Sequence, residues 1–249
     1  MRWKVVAAIV SVVLLAAAGG YDYWTHRKDG AALSRPLAGV VVATPRPGPH
    51  IPALLAITDS VSLVSNGNEP GKQYPTIVAD QMGWSAAIDA VSGRGFLPGT
   101  IGPFTVEPFS SNLSQVIKQH PVVDYVIIDG GRNDVGKPQE QALKAMNEFY
   151  DSVRAAYPNA KFIVTVAVRV SPTQFLGDGS RDTYEVWAQA VHIAADRIHA
   201  HVIDPIAEHW YDGVDLTPYI WTDGIHLNAM GQKFYADKVV TDLKRFGDL

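Results

Sequence analysis

VVDYVIIDGG, residues 122–131, is rich in β-branched residues and ends at two glycines, the pattern of a buried strand. Working upstream, FSSNLSQVIKQH (109–120) has helical spacing, SAAIDAVSG (85–93) is strand-like, YPTIVADQMGW (74–84) is helical, and ALLAITDS (53–60) is a short apolar run ending at a polar turn. Downstream, PQEQALKAMNEFYDSVRAAYP (138–158) reads as a helix with Pro138 at its first turn and Pro158 beyond its end, followed by the strand KFIVTVAVRV (161–170), the helix RDTYEVWAQAVHIAADRIHA (181–200), the strand HVIDP (201–205) and the helix NAMGQKFYADKVVTDLKRF (228–246). Strands alternating with helices predict a mainly parallel sheet covered on both faces. The expected fold is α/β: a single three-layer α/β/α doubly wound domain over residues 53–249.

Composition supports a large core. Of 249 residues, 47% are hydrophobic and 18% charged, which excludes disorder along the whole length. The net charge of −4 and the lack of a basic run beyond His26-Arg27-Lys28 argue against nucleic acid as a partner. With no cysteine, disulfides, a thiolate nucleophile and Cys-ligated zinc are excluded.

Arg2 and Lys4 precede the charge-free run Val5–Ala18, the layout of a basic n-region and an apolar h-region. Residues 1–28 are therefore expected to be a signal peptide, cleaved near Ala16-Ala17-Ala18, or an N-terminal membrane anchor with Tyr21, Tyr23 and Trp24 at the interface. Either way the protein is expected to be exported, secreted or anchored to the outer face of the cytoplasmic membrane. Residues 29–52 contain five prolines and read as a linker. Oligomeric state has no signature in the chain.

In open α/β sheets, ligands bind where the C-terminal ends of the strands meet their loops. Ser60 follows the first strand, Gly93 the second, Asn133 the third, and Asp223 and His226 sit in the loop before the last helix. A serine hydroxyl needs a base, and the base needs a third group to hold its tautomer. In Asp223-Gly224-Ile225-His226, a tight loop can fold the carboxylate onto one imidazole nitrogen and leave the other for a hydroxyl. Taken singly, a solvated acid and a capping loop account for the same residues. Ser60 likewise fits a turn cap as well as a nucleophile. The Gly93 N–H and the Asn133 amide have the donor chemistry of an oxyanion site. A sharp turn and a helix cap are their plainer roles.

Thr58-Asp59-Ser60, Gly93, Gly131-Arg132-Asn133-Asp134 and Asp223-Gly224-Ile225-His226 occur in order, with Asn228 and Gly231 after the last. Together they resemble the sequence blocks of the SGNH hydrolases of the GDSL esterase/lipase superfamily, in its bacterial exported type, from residue 53 onward. The resemblance implies an SGNH, flavodoxin-like fold and a two-step serine ester hydrolysis. Ser60 would be the nucleophile, His226 the base and then acid, Asp223 the residue orienting it, and the Ser60 N–H, Gly93 N–H and Asn133 amide the oxyanion hole. It implies no metal and no organic cofactor. The substrate class is a small ester or an acylated envelope carbohydrate or lipid. An acyltransferase of the same chemistry and a silent envelope glycan-binding module are the competing readings. Thr58 stands where the family usually has glycine, and a positive φ there would strain a β-branched residue.

Other signals carry less. His192, His199 and His201 lack a convergent metal-ligand pattern. Gly93, Gly95 and Gly99 do not have dinucleotide-loop spacing, Asn112-Leu113-Ser114 is a formal glycosylation triplet, and the absence of Gly-x-Ser-x-Gly argues against an α/β-hydrolase. Phe96, Phe104, Phe109 and Trp221 are candidates for lining an acyl or sugar pocket, or for the core.

Overall fold

The computed structural model describes residues 50–63, 71–168 and 181–247. The expected targeting segment and residues 29–49 of the linker lie outside the described residues, as do the last two residues of the run expected as the strand 161–170. Among the described residues, no helix is long and apolar enough to cross a membrane.

Five strands form the main sheet: β1 (Ala53–Thr58), β2 (Ser85–Ala90), β5 (Tyr125–Gly130), β6 (Lys161–Val166) and β7 (Ala200–Ile203). All neighbours pair in parallel, in the order β2-β1-β5-β6-β7. Within β1, β5 and β6 every residue after the first is buried, because these central strands are covered on both faces. The edge strand β2 is only half-buried throughout.

Among the described residues, five α-helices accompany the sheet: α1 (Tyr74–Met82), α2 (Leu113–Gln119), α3 (Gln139–Ala156), α4 (Arg181–Arg197) and α5 (Ala229–Phe246). The paired helices α1 with α5 and α3 with α4 flank the sheet. Their ends follow local chemistry. Pro75 sits in the first turn of α1, which stops at Gly83 with φ of 72°. At the start of α5 the Asn228 side chain accepts the Gly231 N–H at 3.0 Å.

The expected order of strands and helices is found, with two departures. A two-stranded antiparallel hairpin, β3 (Gly99–Ile101) and β4 (Phe104–Val106), occupies a stretch with no strand expectation. Three-residue strands around Gly102 are too short to show periodicity. The helix expected over 109–120 begins as a 3₁₀ turn at Phe109–Asn112 before α2.

Numbering only the five main strands, the order is 2-1-3-4-5, which places the topological switch point between β1 and β5. The direction in which strands are added reverses there, so the connections after these two parallel strands lead to opposite sides and leave a crevice between them. Ser60 and Asn133 belong to those two loops.

Candidate active site

The loop before α5 is closed on itself. Trp221 N–H donates to the His226 carbonyl at 2.7 Å, Asn228 N–H to the Tyr219 carbonyl at 2.9 Å, and Gly224 makes the turn with φ of 74°. Inside it, Asp223 Oδ1 accepts the N–H groups of Ile225 (2.9 Å) and His226 (3.0 Å), and Asp223 Oδ2 lies 2.7 Å from His226 Nδ1. Burial works against the Asp223 charge, but these N–H groups and the imidazole hold its carboxyl below the usual carboxylate range. With Nδ1 engaged by a carboxylate, Nε2 faces away, 2.9 Å from Ser60 Oγ.

Ser60 opens the short 3₁₀ turn Ser60–Ser62 that follows β1. Asp59 caps that turn, accepting the Val61 N–H at 2.9 Å through Oδ1. From the other side Gln232 of α5 donates from Nε2 to the Val61 carbonyl at 2.6 Å, and its Oε1 accepts the Tyr74 N–H at 2.8 Å. Both backbone polar groups of Val61 are thus held by buried side chains, one residue past Ser60.

Asp59 is fully buried, and so is Asp129 near the end of β5. Arg132 joins them: Nη1 lies 2.6 Å from Asp59 Oδ1, Nη2 2.7 Å from Asp129 Oδ1, and Nε donates to the Val168 carbonyl at 3.3 Å. Tyr74 and Tyr235 donate their hydroxyls to Asp129 Oδ2 at 2.9 and 3.0 Å. Burial pushes the Asp59 carboxyl above its ordinary value, Arg132 pulls it down, and the neighbouring Asp129 charge pushes it up again.

Gly93 takes φ of 69°, and a Cβ there would come within 2.6 Å of Ile101 Cδ1 on the hairpin. Only glycine fits this turn with Ile101 in place. Asn133 Nδ2 donates to the Arg94 carbonyl at 2.9 Å and has a longer contact, 3.4 Å, with Asp59 Oδ2. Asp134 is pinned beside it, accepting the N–H groups of Phe96 (2.7 Å) and Leu97 (3.0 Å). These bonds tie the loop after β5 to the loop after β2.

Ser60, His226, Asp223 and Asn133, anticipated from the sequence, therefore converge on one edge of the sheet, where the Gly93 loop is tied to Asn133. Thr58 is the last residue of β1, fully buried, and is not among the positive-φ residues. The strain expected for a β-branched residue there is absent, because the position is ordinary extended strand. Phe96 and Phe109, candidates for lining a pocket, are core residues at 3% and 1% exposure, with ring centroids 5.2 Å apart. Phe104 and Trp221 remain exposed.

Among the other signals, His192 lies 2.8 Å from Asp204, and His201 stacks on Phe246 with ring centroids 4.4 Å apart. The Asn112 side-chain nitrogen donates to Asp89 at 3.0 Å. Among the described residues no group of three or more His, Cys, Asp or Glu side chains could hold a metal ion. What sequence reasoning missed is the apparatus behind the site: Asp129, Arg132, Tyr74, Tyr235 and Gln232. The available signal was charge at Asp129 and Arg132, flanking the glycines that end an apolar strand, where burial demands a partner.

Residues 57–234 match the GDSL-like Lipase/Acylhydrolase family, and the chain belongs to that family. It is similar to the GDSL lipase Rv0518 of Mycobacterium tuberculosis, 28% identical over 117 residues that make up 46% of this chain and 47% of that protein. The matched part thus spans about half the length of that relative.

Solved structures share the fold. The psychrotrophic esterase EstA of Pseudoalteromonas sp. has a TM-score of 0.60 at 14% identity, covering 79% of this chain and 99% of that one. An active-site mutant of a family two carbohydrate esterase from Clostridium thermocellum has a TM-score of 0.63 at 15% identity, covering 82% and 66%. Est24, a carbohydrate acetylesterase of Sinorhizobium meliloti, has a TM-score of 0.58 at 16% identity, covering 78% and 99%.

Proposed function

We propose that this protein is a serine ester hydrolase in which Ser60, His226 and Asp223 form the catalytic triad. The observation that carries the reading is the continuous contact from Ser60 Oγ to His226 Nε2 at 2.9 Å and from His226 Nδ1 to Asp223 at 2.7 Å. Ser60 Oγ attacks the ester carbonyl carbon as His226 Nε2 takes its proton. Asp223 stabilises the resulting imidazolium. The imidazolium then protonates the departing alcohol oxygen, and a water activated by His226 releases the acyl group from Ser60.

The oxyanion receives hydrogen bonds from the Ser60 N–H, the Gly93 N–H and the Asn133 side chain. Asn133 Nδ2 has two hydrogens. One is engaged with the Arg94 carbonyl at 2.9 Å, and the other, whose 3.4 Å contact with Asp59 is long for a hydrogen bond, is the one available to substrate.

The native substrate in this reading is a small ester or an O-acyl group on an envelope carbohydrate or lipid. Support for the carbohydrate arm comes from the fold shared with the carbohydrate esterases above. Placement outside the cytoplasm rests on Arg2, Lys4 and the apolar run after them.

The test is hydrolysis of p-nitrophenyl acetate and a longer-chain ester beside the Ser60→Ala variant, with labelling of Ser60 by an alkyl phosphonate. Turnover and labelling are expected in the wild type, and both should vanish in the variant. Undiminished hydrolysis by Ser60→Ala would remove the assignment.

A further inference from the structure

Asp59 and Asp129 stand at the ends of adjacent parallel strands, with Thr58 in register with Asp129, and neither carboxylate is exposed. Two buried carboxylates this close repel one another and resist leaving water. A cation between them answers both problems, and Arg132 touches both, at 2.6 and 2.7 Å.

Charge compensation alone would be a structural role. What distinguishes this cluster is where the remaining bonds of Asp59 go. Its Oδ1 also accepts the N–H of Val61, next to Ser60, and its Oδ2 lies 3.4 Å from the Asn133 amide. Arg132 is itself the chain neighbour of Asn133. Its fork therefore sets the carboxylate plane that orients the turn bearing Ser60, while its backbone carries the amide proposed to face the oxyanion.

We infer that Arg132 is the positioning residue of this site: by bridging Asp59 and Asp129 it fixes the Ser60 hydroxyl and the Asn133 amide relative to His226. The inference rests on the serine mechanism proposed above. It concerns geometry, so the shape of the cation matters as well as its charge. The planar guanidinium makes separate bonds to two carboxylates and a carbonyl. A lysine ammonium on a flexible stem keeps the charge but has no fixed fork.

The experiment compares wild type, Arg132→Lys and Arg132→Ala in the full chain for kcat and KM on p-nitrophenyl acetate, for the rate of phosphonate labelling at Ser60, and for thermal unfolding. Misplacement of the reacting groups is expected to lower kcat and the labelling rate by about 10²-fold in folded Arg132→Lys, with KM changed little. Subdenaturing guanidinium should restore part of the kcat of Arg132→Ala, which a loss of folded protein would not allow.

A folded variant with wild-type kcat would overturn the inference. If neither Arg132 variant folds, the near-isosteric Asp59→Asn decides. A lower kcat at unchanged KM supports positioning, and an unchanged kcat overturns it. Ser60→Ala separates the two layers: hydrolysis surviving in that variant would defeat the serine mechanism itself, whereas its loss beside an indifferent Arg132 would defeat only the positioning role.

Discussion

Asp223 and Asp59 are both aspartates beside the reacting groups, held in opposite ways. The Asp223 side chain is 35% exposed and takes its bonds from Ile225 and His226, two and three positions along the chain. The Asp59 side chain is fully buried and meets its cation, Arg132, 73 positions away. The loop bearing His226 is therefore a local motif that its own sequence can close. The turn bearing Ser60 acquires its geometry only when β1 and β5 pair. In the proposed mechanism, activity depends on the 2.9 Å contact between these two kinds of construction.

The largest effect that would sharpen this comparison is expected from Asp223→Asn. Asparagine keeps an oxygen for the Ile225 and His226 N–H groups, so the loop should persist and the protein should fold. The imidazole loses its anionic partner and its tautomer control, and kcat should fall by about 10³-fold or more at similar KM. Steady-state kinetics beside circular dichroism checks both halves. A mild loss would show that the loop's backbone alone suffices to orient His226.

Gln232→Leu attacks the other side. It removes the acceptor of the Tyr74 N–H and the donor to the Val61 carbonyl. Leaving buried backbone groups unpaired should cost about 1–3 kcal/mol, read in urea unfolding. The loosened Ser60 turn should also lower kcat about tenfold, less than the loss in Asp223→Asn. Because Gln232 lies on α5, just after the His226 loop, it is also the physical link between the local and the assembled halves.

The two aspartates should differ in sign when stability is followed against pH. Asp223 has a lowered carboxyl, so its contribution is present above the unfolded value of about 3.9 and is lost as pH falls through the lower folded value. Burial raises Asp59, with Arg132 opposing and Asp129 adding to the rise; its protonated form is favoured by folding, and that contribution is lost as pH rises from about 4 through the folded value. The stability difference between wild type and Asp223→Asn should grow on leaving acid. For Asp59→Asn it should shift against the wild type over the same direction. Parallel slopes in chemical denaturation series would contradict this contrast.

The smallest effect on activity is expected at Thr58. As a fully buried, extended strand residue it gains nothing from replacement by glycine, and Thr58→Gly should lose about 1–3 kcal/mol of stability through the emptied side-chain volume and the added freedom of the unfolded chain. Activity should stay near wild type. A rise in kcat would show that the family's usual glycine serves the reaction after all.

Much of this was legible from residues. VVDYVIIDGG and KFIVTVAVRV declare buried parallel strands because central strands need apolar side chains on both faces. Asp-Gly-Ile-His announces its own loop because glycine and an i,i+3 acid–imidazole pair suffice to close it. The hairpin around Gly102 was invisible, since strands of three residues show no period. Phe96 and Phe109 were ambiguous, because an aromatic ring suits a core and a cleft equally. The bridge from Asp59 through Arg132 to Asp129 and the two tyrosines could not be read, since its members come from four separate segments.

Sequence alone determined the class of fold and singled out Ser60, Gly93, Asn133, Asp223 and His226 as candidate site residues, because strand periodicity, turn glycines and reactive side chains are properties of short segments. Tertiary structure alone decided which of these meet and what holds them there. The pairing of β1 with β5 puts two buried carboxylates side by side, and burial in turn requires a guanidinium between them.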